Sequence, residues 1–187
     1  MPRVCVLLAQ GFEEIEAITI IDVLRRAEIE VTTLGVAGTG AGSLDVKGSH
    51  GVVVRADKTL AGGAAEKWDM VILPGGIPGS TNLRDSPEVQ TLLKKQNQGG
   101  HKIGAICAAP IALEAAGLLK GRNVTSYPGL EKDLHGATYV TAPVVRDGNI
   151  VTSRGIGTSL DFALDIVTDL RSKEVAEKLR SAMLVRS

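Results

Sequence analysis

Apolar positions along the chain fall into two rhythms. The first is the short, nearly continuous run, seen at residues 3–9, 30–36, 68–73 and 102–106. Such runs, bounded by turn residues, predict strands buried on both faces, the habit of parallel sheets. The second rhythm is helical. Ile15, Ile18, Ile21 and Leu24 recur at helical spacing and predict a helix over residues 14–27. Further helices are expected from Ser86-Pro87-Glu88 to Gln98, from Pro110 towards Gly117, from Ser159 to Leu170 and from Lys173 to Met183. Strand and helix alternate, so the expected architecture is a mostly parallel sheet with helices on its faces, in a single domain over residues 1–187.

Some stretches depart from that alternation. Val46 and Val52-Val53-Val54 read as short antiparallel strands. Asn123-Val124-Thr125 reads as another strand, followed by a Tyr127-Pro128-Gly129 turn and a short helix to His135. Segments 138–145 and 149–152 flank Arg146-Asp147-Gly148-Asn149, a hairpin signal. The glycine-rich piece Gly38-Thr39-Gly40-Ala41-Gly42 reads as a loop. It is no phosphate fingerprint, because no helical pattern opens behind it.

One junction stands out. The run Lys102 to Ile106 ends at Cys107, and Pro110 then opens an alanine-rich helix. A residue at a sharp strand-to-helix turn projects from the sheet on a strained backbone. The helix behind it directs N–H groups at the sulfur, which predicts a reactive thiolate. Ala105 and Ala109 take the places where the hydrolase version of this elbow has glycine, so the match is in size. Cys5, inside Val4-Cys5-Val6-Leu7-Leu8, is expected to pack.

Composition excludes several classes. Formal net charge is zero and aromatics make up 3%, so neither a basic footprint nor stacking platforms suggest nucleic acid. No run approaches the roughly 20 apolar residues of a membrane helix. Met1-Pro2-Arg3 leads straight into the first strand, which gives no sign of a signal peptide. The two cysteines stand far apart in apolar runs, without disulfide or zinc spacing. A reducing, cytoplasmic setting, no cofactor and no metal are expected.

Ligands of open α/β sheets bind beyond the carboxyl ends of the strands. Three segments end there with chemistry to offer. The first strand leads to Glu13, Glu14 and Glu16; the third core strand leads to Pro74-Gly75-Gly76; the central one leads to Cys107. An acid, backbone donors and a nucleophile suit aldehyde or acyl chemistry. Glu13 and Glu14 are accounted for by the dipole of a helix's first turn. Glu16, between Ile15 and Ala17, can face inward, where burial would raise its pKa. His50, His101 and His135 all read as surface residues, which leaves Cys107 without an adjacent histidine base.

Several motifs in order make the chain resemble the DJ-one (DJ-1)/YajL branch of the ThiJ/PfpI superfamily. They are Gly11-Phe12-Glu13-Glu14-Ile15-Glu16, Asp22-Val23-Leu24-Arg25-Arg26-Ala27, Leu73-Pro74-Gly75-Gly76, Gly104-Ala105-Ile106-Cys107-Ala108-Ala109-Pro110, and the segment from Thr152 to Ser159. The resemblance implies a flavodoxin-like three-layer sandwich with a nucleophile elbow, and a homodimer. It implies that Cys107 is nucleophile and oxidation sensor, with Glu16 its protonated acid/base partner. Gly75 and the Gly76 and Ala108 amides would form the oxyanion site, Arg154 the anion-binding surround, and Arg26 an interface position near the site.

Two positions depart from the pattern. Tyr127 stands where many relatives have a histidine near the cysteine, and tyrosine is a poor base at neutral pH. His50 lies in Gly48-Ser49-His50-Gly51, where human-type members have a cysteine and an arginine, so a second redox cysteine is missing. Ala108 replaces the histidine that follows the cysteine of the peptidase branch, which argues against a protease.

The activity this resemblance implies is a cofactor-free glyoxalase III-type conversion of methylglyoxal or glyoxal to lactate or glycolate, with the related deglycase activity on glycated adducts. The enzyme would be classed as a lyase or hydrolase. The alternative is a redox-sensing, stress-protective chaperone that uses the same sulfur. A thiazole-phosphate biosynthetic role, also attached to the family, finds no phosphate loop here. Small reactive dicarbonyls, and neither membrane nor specific nucleic acid, are the expected partners.

Overall fold

The computed structural model describes residues 1–36 and 44–186. The glycine-rich piece Gly38–Gly42 lies outside the described residues. In chain order the elements are β1 (Arg3–Leu8), α1 (Glu14–Arg26), β2 (Glu30–Gly35), β3 (Asp45–Lys47), β4 (Val53–Arg55), β5 (Lys58–Thr59), α2 (Leu60–Gly63), β6 (Met70–Leu73), α3 (Gly79–Asp85), α4 (Pro87–Gln98), β7 (Lys102–Ile106), α5 (Pro110–Ala115), β8 (Asn123–Val124), β9 (Thr138–Tyr139), β10 (Val144–Asp147), β11 (Ile150–Ser153), α6 (Ser159–Leu170) and α7 (Lys173–Ala182).

One seven-stranded sheet runs in the order β10-β11-β7-β6-β1-β2-β5. Every pairing is parallel except the β10–β11 hairpin. Successive strand residues point to opposite faces, and β1 shows what that does. Val4, Val6 and Leu8 join the core with Ile20 and Leu24 of α1 and Phe162 and Ile166 of α6. Cys5 and Leu7 join the opposite core with Leu93 of α4 and Ala112 and Leu113 of α5. The sheet is thus covered on both sides, in three layers. Among the described residues no helix is long and apolar enough to cross a membrane.

The helix starts follow the sequence. Ser86 caps α4 by accepting the Val89 N–H, and Pro87 occupies its first turn, where a missing N–H costs nothing. Three expectations change. On α1, Ile15 and Ile18 are exposed, and the inward face is Glu16, Ala17, Ile20, Ile21 and Leu24. The strand expected over 138–145 is broken. Its first part, β9, pairs in parallel with β8, and β10 begins only after Pro143, which has no N–H to give a ladder. Helix α3 was not expected, because Pro78-Gly79 reads as a turn.

Candidate active site

β7 lies between β6 and β11, with Ala105 opposite Leu73 and Ile106 opposite Ser153. The chain then turns at Cys107, whose φ is 64°. A side chain in this left-handed region is strained and persists only where its surroundings fix it. Here they do: the Cys107 N–H donates to the Ser153 carbonyl at 2.9 Å, and its carbonyl accepts the Tyr127 N–H at 2.9 Å. The expected elbow is therefore present. Cys5 is fully buried, whereas Cys107 is partly exposed.

The β6–α3 turn meets this elbow. Gly75 passes so close that a Cβ there would lie 2.5 Å from Cys107 Cβ and 2.6 Å from Glu16 Oε2. Gly76 has φ 91°, and a Cβ on it would strike the backbone of Gly11 and Glu13. The absence of both side chains lets bare amides approach the sulfur. The Gly76 and Ala108 N–H groups donate to Cys107 and draw its pKa down.

Glu16 arrives from α1 and is completely buried. Glu13 sits at the N-cap and accepts the Glu16 N–H at 2.7 Å, which fixes the first turn. Glu16 Oε2 accepts the Gly75 N–H at 2.8 Å. Its Oε1 has no hydrogen-bond partner among the described residues, and the Cys107 thiol lies beside the carboxyl. Burial pushes the Glu16 carboxyl up to about 7. Burial first, and then the Glu16 charge, push the Cys107 thiol up to about 12.

Opposing influences act on the sulfur. The two amides lower its pKa, but the dry surroundings and the neighbouring carboxylate outweigh them. Two acids in contact titrate as a pair and share a proton between them. The sulfur becomes an anion only when that proton passes to Glu16.

The sulfur opens into a cleft of about 310 Å3 whose walls include Tyr127, Arg154, Gly155, Ile156 and Thr158. Gly155 is a site position the sequence reading missed. A Cβ there would stand 3.8 Å from Cys107 Sγ, 4.0 Å from Glu16 Oε1 and 3.5 Å from the Tyr127 ring. Tyr127 is mostly exposed at the cleft. Thr158 Oγ1 accepts the Gly155 N–H and meets Ser153 Oγ at 2.7 Å, tying this wall to the end of β11.

Glu14 was also under-read. It is buried, and it accepts the His50 N–H at 2.6 Å and the Ser49 hydroxyl at 3.1 Å, with His50 Nδ1 3.0 Å away. These bonds hold the Glu14 carboxyl down at about 2 and push His50 up. His50 is thus exposed, as expected, but tied over the first turn of α1. Ligand atoms of Glu13, Glu14 and His50 lie within 4.8 Å of one another, the set among the described residues whose spacing suits a cation. The hydrogen bonds above already account for Glu14 and His50. Arg26 lies at the other end of α1 from Glu16, about 15 Å away at 1.5 Å per residue, and pairs with Asp22 at 2.6 Å.

With this geometry in hand, comparison with known proteins is decisive. The sequence pattern of the DJ-1/PfpI family matches residues 2–169. Protein dj-1beta of Drosophila melanogaster is 44% identical over 182 residues, 96% of this chain and 95% of that protein. The chain belongs to the DJ-1/PfpI family. The crystal structure of Drosophila melanogaster DJ-1beta superimposes with a TM-score of 0.94 at 42% identity, covering 100% of this chain and 99% of that one. The fold is therefore the flavodoxin-like sandwich of the DJ-1 proteins. A Caenorhabditis elegans family member, glutathione-independent glyoxalase DJR-1.2, is 36% identical over 168 residues, 89% of this chain and 87% of that protein.

Proposed function

We propose that this DJ-1/PfpI protein is a cofactor-independent glyoxalase III-type enzyme acting on methylglyoxal and glyoxal. The observation that carries the reading is the contact between a buried Glu16, with pKa pushed to about 7, and the Cys107 thiol at a cleft. A base works best when its pKa lies near the operating pH. The name of the C. elegans relative supports the same reading.

The steps follow from the groups present. Glu16 takes the thiol proton as Cys107 sulfur attacks the aldehyde carbon, and returns it to the carbonyl oxygen, giving a hemithioacetal. The Gly76 and Ala108 amides stabilise the oxygen charge while it develops. Glu16, ionised again, removes the hydrogen on C1 and delivers it to C2, while the proton on the C1 oxygen passes to the C2 oxygen. C1 becomes a thioester carbonyl and C2 a secondary alcohol. Water then cleaves the thioester, releasing lactate and the free thiol. Deglycation of protein or nucleotide adducts would use the same attack.

The test is lactate formation from methylglyoxal by purified, metal-free protein. Cys107→Ser should lose far more than tenfold, about 1.4 kcal/mol of barrier. A smaller loss contradicts a covalent role.

A second reading uses the same sulfur as a peroxide sensor with a protective, chaperone-like role. It is favoured by the contrast between a cleft-lining Cys107, facing two amides, and a sealed Cys5. Oxidation to sulfinate would place new oxygens at those amides. The enzyme is put first because a relative carries the glyoxalase name. Mass spectrometry after mild peroxide separates the two: gain of two oxygens on Cys107 alone supports the sensor.

Exposed Ile15 and Ile18 on α1, with exposed Val52 and Val53 of the β3–β4 ribbon, give an apolar surface suited to a second copy. A homodimer through this face is the assembly we infer, and it would let Arg26 approach the Cys107 site of the partner subunit. Light scattering would show twice the chain mass, and Ile15→Lys should halve it.

A further inference from the structure

The cleft at Cys107 is roomier than methylglyoxal needs. Its volume of about 310 Å3 is space for about ten waters at roughly 30 Å3 each, whereas methylglyoxal carries only a methyl group beside its two carbonyls. Much of the surplus is faced by Tyr127, Pro128 and Ile156.

Tyr127 is unlike the chain's other aromatic residues. Phe12, Phe162 and Trp68 are sealed in the cores, and Tyr139 spends its hydroxyl on the Ser126 carbonyl at 3.1 Å. Tyr127 is 56% exposed and stands in the cleft wall. A single exposed apolar residue is ordinary, but this one is built in. Its N–H donates to the Cys107 carbonyl at 2.9 Å, and its own carbonyl accepts the Leu130 N–H at 3.2 Å. The Tyr139 bond anchors the residue before it. The loop thus holds its ring at the elbow in advance, so a ligand that uses it meets little ordering cost.

Gly155 sets the spacing. A Cβ there would stand 3.5 Å from the Tyr127 ring and 3.8 Å from Cys107 Sγ. The ring and the sulfur flank that one position, each at ordinary contact distance from it, and glycine leaves it open. A flat group bonded to the carbonyl that the sulfur attacks reaches the ring across it. Aromatic pairs in offset or edge-on contact gain energy beyond the area they bury.

We infer that Tyr127 is a specificity-determining residue, and that the Cys107 cleft prefers compounds whose carbonyl carries an aryl or other flat conjugated group over those carrying methyl or hydrogen. Phenylglyoxal represents the first class, and methylglyoxal and glyoxal the second. This rests on the reading of Cys107 as the group that attacks the carbonyl. The ring of Tyr127 does the selecting, and its hydroxyl has no part in it.

Phenacyl chloride and chloroacetone test the preference apart from turnover. Both are chloromethyl ketones, and one has phenyl where the other has methyl. With each, Cys107 sulfur bonds to the CH2 carbon, the thiol proton passes to Glu16, and chloride leaves. Mass spectrometry of Cys107 gives the two rates. Dividing each by its rate with free N-acetylcysteine removes the reagents' own difference in reactivity. The normalised ratio should favour phenyl in the unmodified protein and fall about fivefold in Tyr127→Ala, the loss of one aromatic contact. Tyr127→Phe keeps the ring and should keep the ratio. In turnover, Tyr127→Ala should raise KM for phenylglyoxal, followed as mandelate, more than KM for methylglyoxal, followed as lactate. An unchanged ratio in Tyr127→Ala, or an equal loss in Tyr127→Phe, overturns the inference. Absence of both mandelate and lactate, with the chloroketone ratios as expected, would overturn the glyoxalase reading and leave the aryl preference standing.

Discussion

Glu16 Oε2 accepts the Gly75 N–H at 2.8 Å, and that same glycine has no room for a methyl group between Glu16 and Cys107. One backbone position thus fixes both the carboxyl and its distance from the sulfur. Gly75→Ala should destabilise the protein by about 1–3 kcal/mol, the usual range for overpacking. Urea denaturation would measure it, and alkylation of Cys107 would slow as the elbow is displaced.

Glu16 should be visible in stability against pH. Its carboxyl is raised from 4.5 to about 7 on folding. The folded chain therefore holds a proton that the unfolded chain has released. The stability this gives is fully present below pH 4.5 and is lost as pH rises to about 7, by about 3 kcal/mol. Glu16→Gln should remove this slope. Denaturation midpoints at pH 5 and pH 7.5, compared between the two proteins, check it. His50 titrates in both and cancels.

His50 and Glu14 make the opposite pair. Glu14 is held down at about 2, so the stability it gives exists above 4.5 and fades as pH falls towards 2. His50 is raised, so its share is present below its ordinary range and disappears as pH climbs past the raised value. NMR titration of His50 should give a pKa above 6.5 that returns towards 6.5 in Glu14→Gln.

Gly155→Ala is the steric probe of the cleft. Its methyl would stand 3.8 Å from the sulfur at ordinary contact distances from its neighbours. The fold should change by less than about 1 kcal/mol, while alkylation of Cys107 and any turnover fall at least about tenfold. Equal rates would show that reactants reach the sulfur from another side.

Much of this site is local in sequence. The elbow at Cys107 follows from a strand, a turn and Pro110, and Glu16 follows from its place on α1. What the chain does not display locally is contact across long separations. Gly155 lies 48 positions beyond Cys107 and touches it only because β11 pairs beside β7. Glu14 looked like a helix-dipole residue until Ser49 and His50 folded over it. Ile15 and Ile18 fit a helical stripe, yet Glu16 and Ala17 take the inward side with Ile20, Ile21 and Leu24. The thiol's environment is likewise only half legible: a helix start is local, whereas desolvation depends on everything packed around the sulfur.

The bond from the Cys107 amide to the Ser153 carbonyl has a consequence for how the protein is made. Synthesis runs from the N-terminus, so the ribosome delivers Cys107 well before the strand that pins its backbone. Until residues near 153 emerge and β11 docks, the cysteine lacks one of the two bonds that fix its strained angle, and the Gly155 wall beside its sulfur is missing. A nascent or truncated chain ending before that point has the thiol, the acid and the amides but not the strand that sets their angle. The chemistry switches on only when nearly the whole polypeptide is in place.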